Sequence, residues 1–182
     1  GHGGDDPGMV TETLKEKDLN LEVAKKLQEY LEGQGYHVEM TRTEDTGLYQ
    51  EGTRNQKVQD MQNRVAFIGE KTPLLTVSIH QNSYPDPSVK GPQVFYYEDS
   101  VEGEKLAECI QGQMDEKLEV ERPREAKGNR TYYLLKKSAG ILNIVECGFI
   151  TNPEEAELLQ REDYQEKIAE AVGKGILEYL GK

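Results

Sequence analysis

Two stretches constrain the fold of this 182-residue chain more than any other: LLTVSI at 74–79 and ILNIVE at 141–146. Each is a nearly continuous apolar run, the pattern of a strand buried on both faces of its sheet. Helical periodicity alternates with these strands. From Asp18 to Leu31, Val23, Leu27 and Leu31 recur every four residues beside Ala24 and Tyr30, and Gly33 and Gly35 end the helix. A second helix is expected from about Gln56 to Gly69, on Val58, Met61, Val65 and Ile68. A third spans roughly Val101 to Leu118, on Leu106, Ile110 and Met114. Further strands are expected at Tyr36–Thr41, Gln93–Tyr97 and Tyr132–Lys136, with a loop at 122–130. A short helix from Pro153 and an amphipathic one near Tyr164 to Leu180 close the chain. The alternation predicts an α/β fold: a mixed, mostly parallel sheet flanked by helices on both faces. No internal repeat or low-complexity segment divides it, so residues 1–182 read as a single domain.

Composition excludes several classes of function. The net charge of −12 argues against nucleic acid as a partner, since a polyanion needs a basic footprint. No run of 18 apolar residues exists to span a membrane. The two cysteines, Cys109 and Cys147, are too few for a disulfide scaffold and read as small apolar thiols. No secretory signal is visible.

The chemistry is expected where strands end, because ligands of open α/β sheets bind outside the carboxyl ends of their strands. His80 follows LLTVSI and precedes Gln81, Asn82 and Ser83; a hydrogen-bonded structural His is its plain alternative. Glu146 ends ILNIVE, where a carboxylate is costly unless paired, metal-bound or given a task such as general-base work. Its alternative is a cap or a Lys partner. His2 lies in GHGGDDPG, whose glycines permit a tight turn near an ion. That loop lacks the Lys-Ser/Thr of a phosphate loop, and its acids would repel phosphate. Asp5, Asp6, Glu12 and Glu16 are rival carboxylates near it, and spacing does not choose among them. His37, in GYHV, reads as an exposed or hydrogen-bonded residue. Two histidines and a carboxylate make a Zn²⁺ site with one open position, and a further carboxylate nearby suits metal-assisted hydrolysis. The absence of HExxH excludes a helix-borne zincin.

GHGGDDPG (1–8), LKEKDLNL (14–21), TVSIHQNS (76–83) and IVECGFITN (144–152) together resemble, in order, the pattern of zinc-dependent N-acetylmuramoyl-L-alanine amidases. The resemblance covers essentially the whole chain, including TRTED at 41–45 and NPEEAELL at 152–159. It implies a phosphorylase/hydrolase-like fold, Zn²⁺ held by His2, Glu16 and His80, and catalysis by Glu146. The reaction implied is hydrolysis of the amide between the lactyl group of N-acetylmuramic acid and L-alanine of peptidoglycan, outside the cytoplasm. HQNSYPDPSVKG (80–91), RPREAKGN (122–129) and TYYLLKKS (131–138) narrow the likeness to germination-specific amidases of spore cortex. That subgroup implies a step toward muramic δ-lactam. The family also places a buried strand just before the first loop, so a strand beside the one ending at His80 is expected to be missing here.

Arg122, Arg124, Lys127 and Arg130 concentrate positive charge in an acidic chain. Arg122, Arg124 and Arg130, with Asn82, are candidates for holding stem-peptide carboxylates; a solvated connection or a docking surface for a regulatory protein is the other reading. Arg42 and Arg64 read as ion-pair or capping residues. Three rival functions stand beside the cortex amidase: a vegetative wall amidase, a zinc peptidase cutting the stem, and a wall-binding module without activity.

Overall fold

The computed structural model describes residues 1–50 and 52–182. Its strands are β1 (Thr76–Asn82), β2 (Gln93–Tyr97), β3 (Lys127–Asn129) and β4 (Leu142–Phe149), in the sheet order β1-β4-β2-β3. β1 pairs with β4 and β2 with β3 in parallel, while β2 and β4 run antiparallel. The sheet is therefore mixed and mostly parallel, as the buried runs imply. The helices are α1 (Glu16–Gly33), α2 (Gln56–Lys71), α3 (Val101–Lys117), α4 (Tyr133–Lys137), α5 (Pro153–Leu159) and α6 (Glu162–Tyr179).

Strand periodicity sorts the core into two layers. Ile79, Val94, Val145 and Cys147 point to one face and pack with Val23 and Leu27 of α1, Leu106, Ile110 and Met114 of α3, and Ile168 and Val172 of α6. Phe95, Leu142 and Ile144 point to the other and meet Ile68 of α2 with Leu134 and Leu135 of α4. Helices thus cover both faces. α3 and α6 approach so closely that a Cβ at Gly175 would lie 2.5 Å from the Ile110 Cα. None of the helices is long and apolar enough to cross a membrane among the described residues.

Three expected elements differ. Residues 36–41 alternate in the manner of a strand, yet they form none. The cause is the lack of a neighbour: an apolar groove of about 330 Å³, lined by Tyr36, Val38, Met40, Val77 and Ile79, separates them from β1. Tyr132–Lys136 is not a strand, because the Asn129 carboxamide oxygen accepts the amide protons of Thr131 and Tyr132 and turns the chain into α4. The loop at 122–130 holds β3, which adds to the β2 edge through Lys127–Asn129. Both cysteines are free; Cys147 is fully buried, and burial pushes its thiol up to about 12.

Candidate metal centre

Three segments bring their side chains to one point at the sheet edge. The loop of residues 1–8 carries His2, α1 opens with Glu16, and His80 stands near the end of β1. One ligand atom from each of these three lies within 4.8 Å of the others. The Glu16 Oε1 is 2.9 Å from His80 Nδ1 and 3.3 Å from His2 Nε2. Ligand atoms spaced tetrahedrally at about 2.0–2.2 Å around zinc lie roughly 3.3–3.6 Å apart, so the Glu16–His2 pair already has that spacing and the closer Glu16–His80 pair would need to open slightly to admit the ion. Gly8 makes the approach possible: a Cβ there would sit 2.4 Å from Glu16 Oε2 and 2.7 Å from His2 Cδ2.

Local structure explains why Glu16 is the converging carboxylate. At the first position of α1 it lies in the positive end of the helix dipole. Its Oε1 also accepts the Gln81 amide at 3.1 Å and the Asn20 Nδ2 at 3.2 Å, and its Oε2 accepts the Met9 amide at 2.9 Å. Burial works against its charge, but the hydrogen bonds and charge of His2 and His80 hold it well below the usual carboxylate range. Burial pushes His80 down to about 4, leaving a neutral imidazole, the form that binds a metal. For His2, burial opposes protonation, yet hydrogen bonds and charge from Glu16 and Asp6 raise it above the ordinary value.

The rival carboxylates go elsewhere. Asp6 Oδ2 stands 2.8 Å from His2 Nδ1, the back of the ring, which is how carboxylates orient metal-binding imidazoles. Asp5 and Glu12 are exposed and lie outside the cluster of donors. His37 is exposed, 3.2 Å from Glu39, and takes no part. The sequence did not single out Asn20, which is 1% exposed and donates to both Glu16 and the Gly1 carbonyl. Its signal is a polar residue between Leu19 and Leu21, one turn after Glu16 on a buried helix face.

Glu146 adjoins this cluster. It is the register partner of His80 across the β1–β4 ladder, and strand alternation puts both on the α2–α4 face. Its Oε2 is buried without a hydrogen-bond partner. Burial first, and then the nearby Glu16 charge, push its carboxyl up to about 8. A buried carboxyl oxygen without a partner, beside three converging donors, marks Glu146 as a candidate functional residue.

The basic candidates are more dispersed. Arg124 donates to the Lys90 carbonyl at 3.1 Å and lies 5.3 Å from the centre of the Phe149 ring. Arg122 joins it and Lys90 along a groove beside α5. Arg130 is 59% exposed and pairs with Glu98 at 2.9 Å and Asp99 at 2.8 Å. Asn82 caps the end of β1, its Oδ1 accepting the Ser83 amide at 2.8 Å. The structure does not gather these four into one site.

The chain as a whole is matched among known proteins. The family model described as N-acetylmuramoyl-L-alanine amidase (Amidase_3) matches residues 1–178. The germination-specific N-acetylmuramoyl-L-alanine amidase of Bacillus subtilis is 42% identical across 99% of this chain and 77% of its own length. The amidase LytC of the same organism is 31% identical over 98% of this chain, which spans only 34% of it. Among solved structures, the CwlD amidase of Clostridioides difficile, in complex with the GerS lipoprotein, superposes with a TM-score of 0.96 at 37% identity. That match covers 100% of this chain and 95% of the other. With its family model matched almost end to end, the chain belongs to the N-acetylmuramoyl-L-alanine amidases, enzymes that act on peptidoglycan.

Proposed function

We propose that this protein is a zinc-dependent amidase that cleaves the bond between the lactyl carbonyl of N-acetylmuramic acid and L-alanine of the stem peptide. The observation that carries the zinc dependence is the convergence of His2, Glu16 and His80 within 4.8 Å. His2 Nε2, Glu16 Oε1 and His80 Nδ1 would hold the ion, and Asp6 would fix the His2 ring from behind. A bound Zn²⁺ supplies a Lewis acid that polarises the scissile carbonyl and makes water acidic enough to attack near neutral pH.

Glu146 does the proton work. With a cation beside it favouring the ionised carboxylate, its unpartnered Oε2 takes a proton from the attacking water and holds it until the amine leaves. The proton then passes to the L-alanine nitrogen. Arg122, Arg124 and Asn82, at the carboxyl end of the sheet or along the neighbouring groove, are proposed to bind stem carboxylates and polar groups. Arg130 would have to leave Glu98 and Asp99 to join them.

We further propose spore cortex as the substrate and the extracytoplasmic spore envelope as the place of action, on the strength of the 42% identity to a germination-specific amidase. A lipoprotein partner is proposed from the GerS complex of the CwlD amidase. Mass spectrometry of cortex muropeptides, treated with and without a chelator, tests the whole reading. The expected products are intact stems with a free L-alanine N-terminus and glycan with unsubstituted lactyl carboxylates, both lost with chelator. Products cut within the stem would favour a peptidase, and chelator-resistant cleavage would remove zinc from the reaction.

A further inference from the structure

The donor set accounts for the side chain of His2 but not for its backbone. His2 stands at φ 55, in the left-handed region that favours glycine, and Gly3 and Gly4 continue the turn at φ 142 and 59. Its carbonyl oxygen receives two guanidinium groups, Arg42 Nε at 2.8 Å and Arg64 Nη2 at 3.0 Å. Both arginines are buried, at 7% and 5% exposure. Arg42 gives its other donors to backbone carbonyls as well: Lys17 at 2.6 Å, Glu44 at 3.0 Å and Gly1 at 3.4 Å. Arg64 is steadied by an ion pair with Asp60 and by the Thr41 hydroxyl at 3.3 Å. The rest of the loop is held in the same manner. Lys17 Nζ donates to the Gly4 carbonyl at 2.9 Å and pairs with Asp45 at 2.6 Å, while Asp45 accepts the Gly4 amide at 2.9 Å.

Two buried guanidinium groups side by side repel each other and are costly to desolvate. They converge on one oxygen, in a loop whose only imidazole faces the metal donors. Of the two roles its sequence context offers, Arg42 takes that of a cap on backbone carbonyls and makes no ion pair among the described residues, and the TRTED segment acquires a task.

We propose that Arg42 and Arg64 are positioning residues of the metal centre: they clamp the His2 carbonyl from two directions, hold this residue in a left-handed backbone, and so aim its Nε2 at the ion. The proposal rests on the reading of His2 as a zinc ligand. It makes the clamp, two elements away in sequence, a determinant of metal affinity rather than of folding alone.

The test is zinc affinity of the purified, metal-free protein, measured by competition with a chromophoric chelator, together with the visible spectrum of the Co²⁺-loaded form. Arg64→Gln and Arg42→Lys are each expected to weaken zinc binding by about 10–100-fold, the scale seen for outer-shell partners. The double variant should lose less than the product of the two, because both donors serve one acceptor. The Co²⁺ bands should change in position or intensity. A purely structural role would lower the melting temperature of the metal-free form and leave affinity and spectrum at wild-type values, and that result overturns the clamp. If Arg64→Gln does not fold, Asp60→Asn loosens the same guanidinium and is judged by the same readings. Arg161→Ala, an exposed ion-pair residue on Asp163, should change none of them. A wild-type protein that binds no zinc would defeat the ligand reading itself. Normal zinc binding with unaltered clamp variants would defeat the clamp alone.

Discussion

His80 and Glu146 are register partners at the carboxyl ends of two parallel strands, and their side chains fall on one face of the sheet. One is among three converging side chains that could hold a metal ion, the other a buried carboxyl with an unpaired oxygen. The division of labour between them can be tested one residue at a time.

Glu146→Gln should bind one equivalent of zinc and lose turnover by about 10²–10⁴-fold, the range of a general base. His80→Ala should lose the metal as well as the activity. Elemental analysis and muropeptide release on the same samples separate the two roles. Near-normal hydrolysis by Glu146→Gln would remove this carboxylate from the mechanism.

The same substitution should stabilise the metal-free protein at alkaline pH. The folded Glu146 titrates near 8, raised from an ordinary 4.5, so folding favours its protonated form. The stability it contributes is complete below pH 4.5 and lost as pH rises through 8. Glu146→Gln never ionises and avoids that loss. Its melting temperature should exceed that of wild type by roughly 10–20 °C at pH 8.5, with the difference closing toward pH 4.5. Equal melting temperatures across this window would contradict the burial of the charge.

Zinc binding should release about one proton, not two, near pH 6.5. Burial holds His80 neutral down to about 4 and Glu16 stays ionised, so among the three donors only His2 has a proton to lose in that range, and the Glu146→Gln protein separates its release from that of the Glu146 carboxyl. The affinity should fall about tenfold per pH unit below the His2 titration. Chelator competition from pH 5.5 to 7.5 measures the slope, and a hundredfold change per unit would mean that both imidazoles titrate.

Gly175→Ala should destabilise the fold without touching the site. The new Cβ would meet the α3 backbone at Ile110, which cannot rotate away as a side chain would. A loss of about 1–3 kcal/mol is expected, read from the urea midpoint, with zinc stoichiometry unchanged. An unaltered midpoint would show that α3 and α6 have room to part.

The strand ends at His80 and Glu146 were legible because burial on both faces leaves an apolar run whose last residue is polar. Glu16 was not separable from Asp5, Asp6 and Glu12 by spacing; the start of α1 and the hydrogen bonds of Asn20 and Gln81 decide which carboxylate faces inward. Residues 36–41 misled because alternation reports which side chains are covered, whereas a strand also needs a hydrogen-bonding neighbour. Tyr132–Lys136 misled because a single side chain, Asn129, redirects the backbone. The arginine clamp left no local pattern at all, since Arg42 and Arg64 meet His2 from 40 and 62 residues away.

The distance in sequence between Glu16 and His80, 64 residues, has a consequence for how the molecule assembles. The α1 helix and its first-turn carboxylate can form early from local contacts. The donor triad cannot close until β1 docks against that helix, and closing so long a loop belongs to the slow, non-local part of folding. A metal-sensitive dye added during refolding would then behave as a clock for tertiary closure: blind to helix formation, and responding only when His80 arrives.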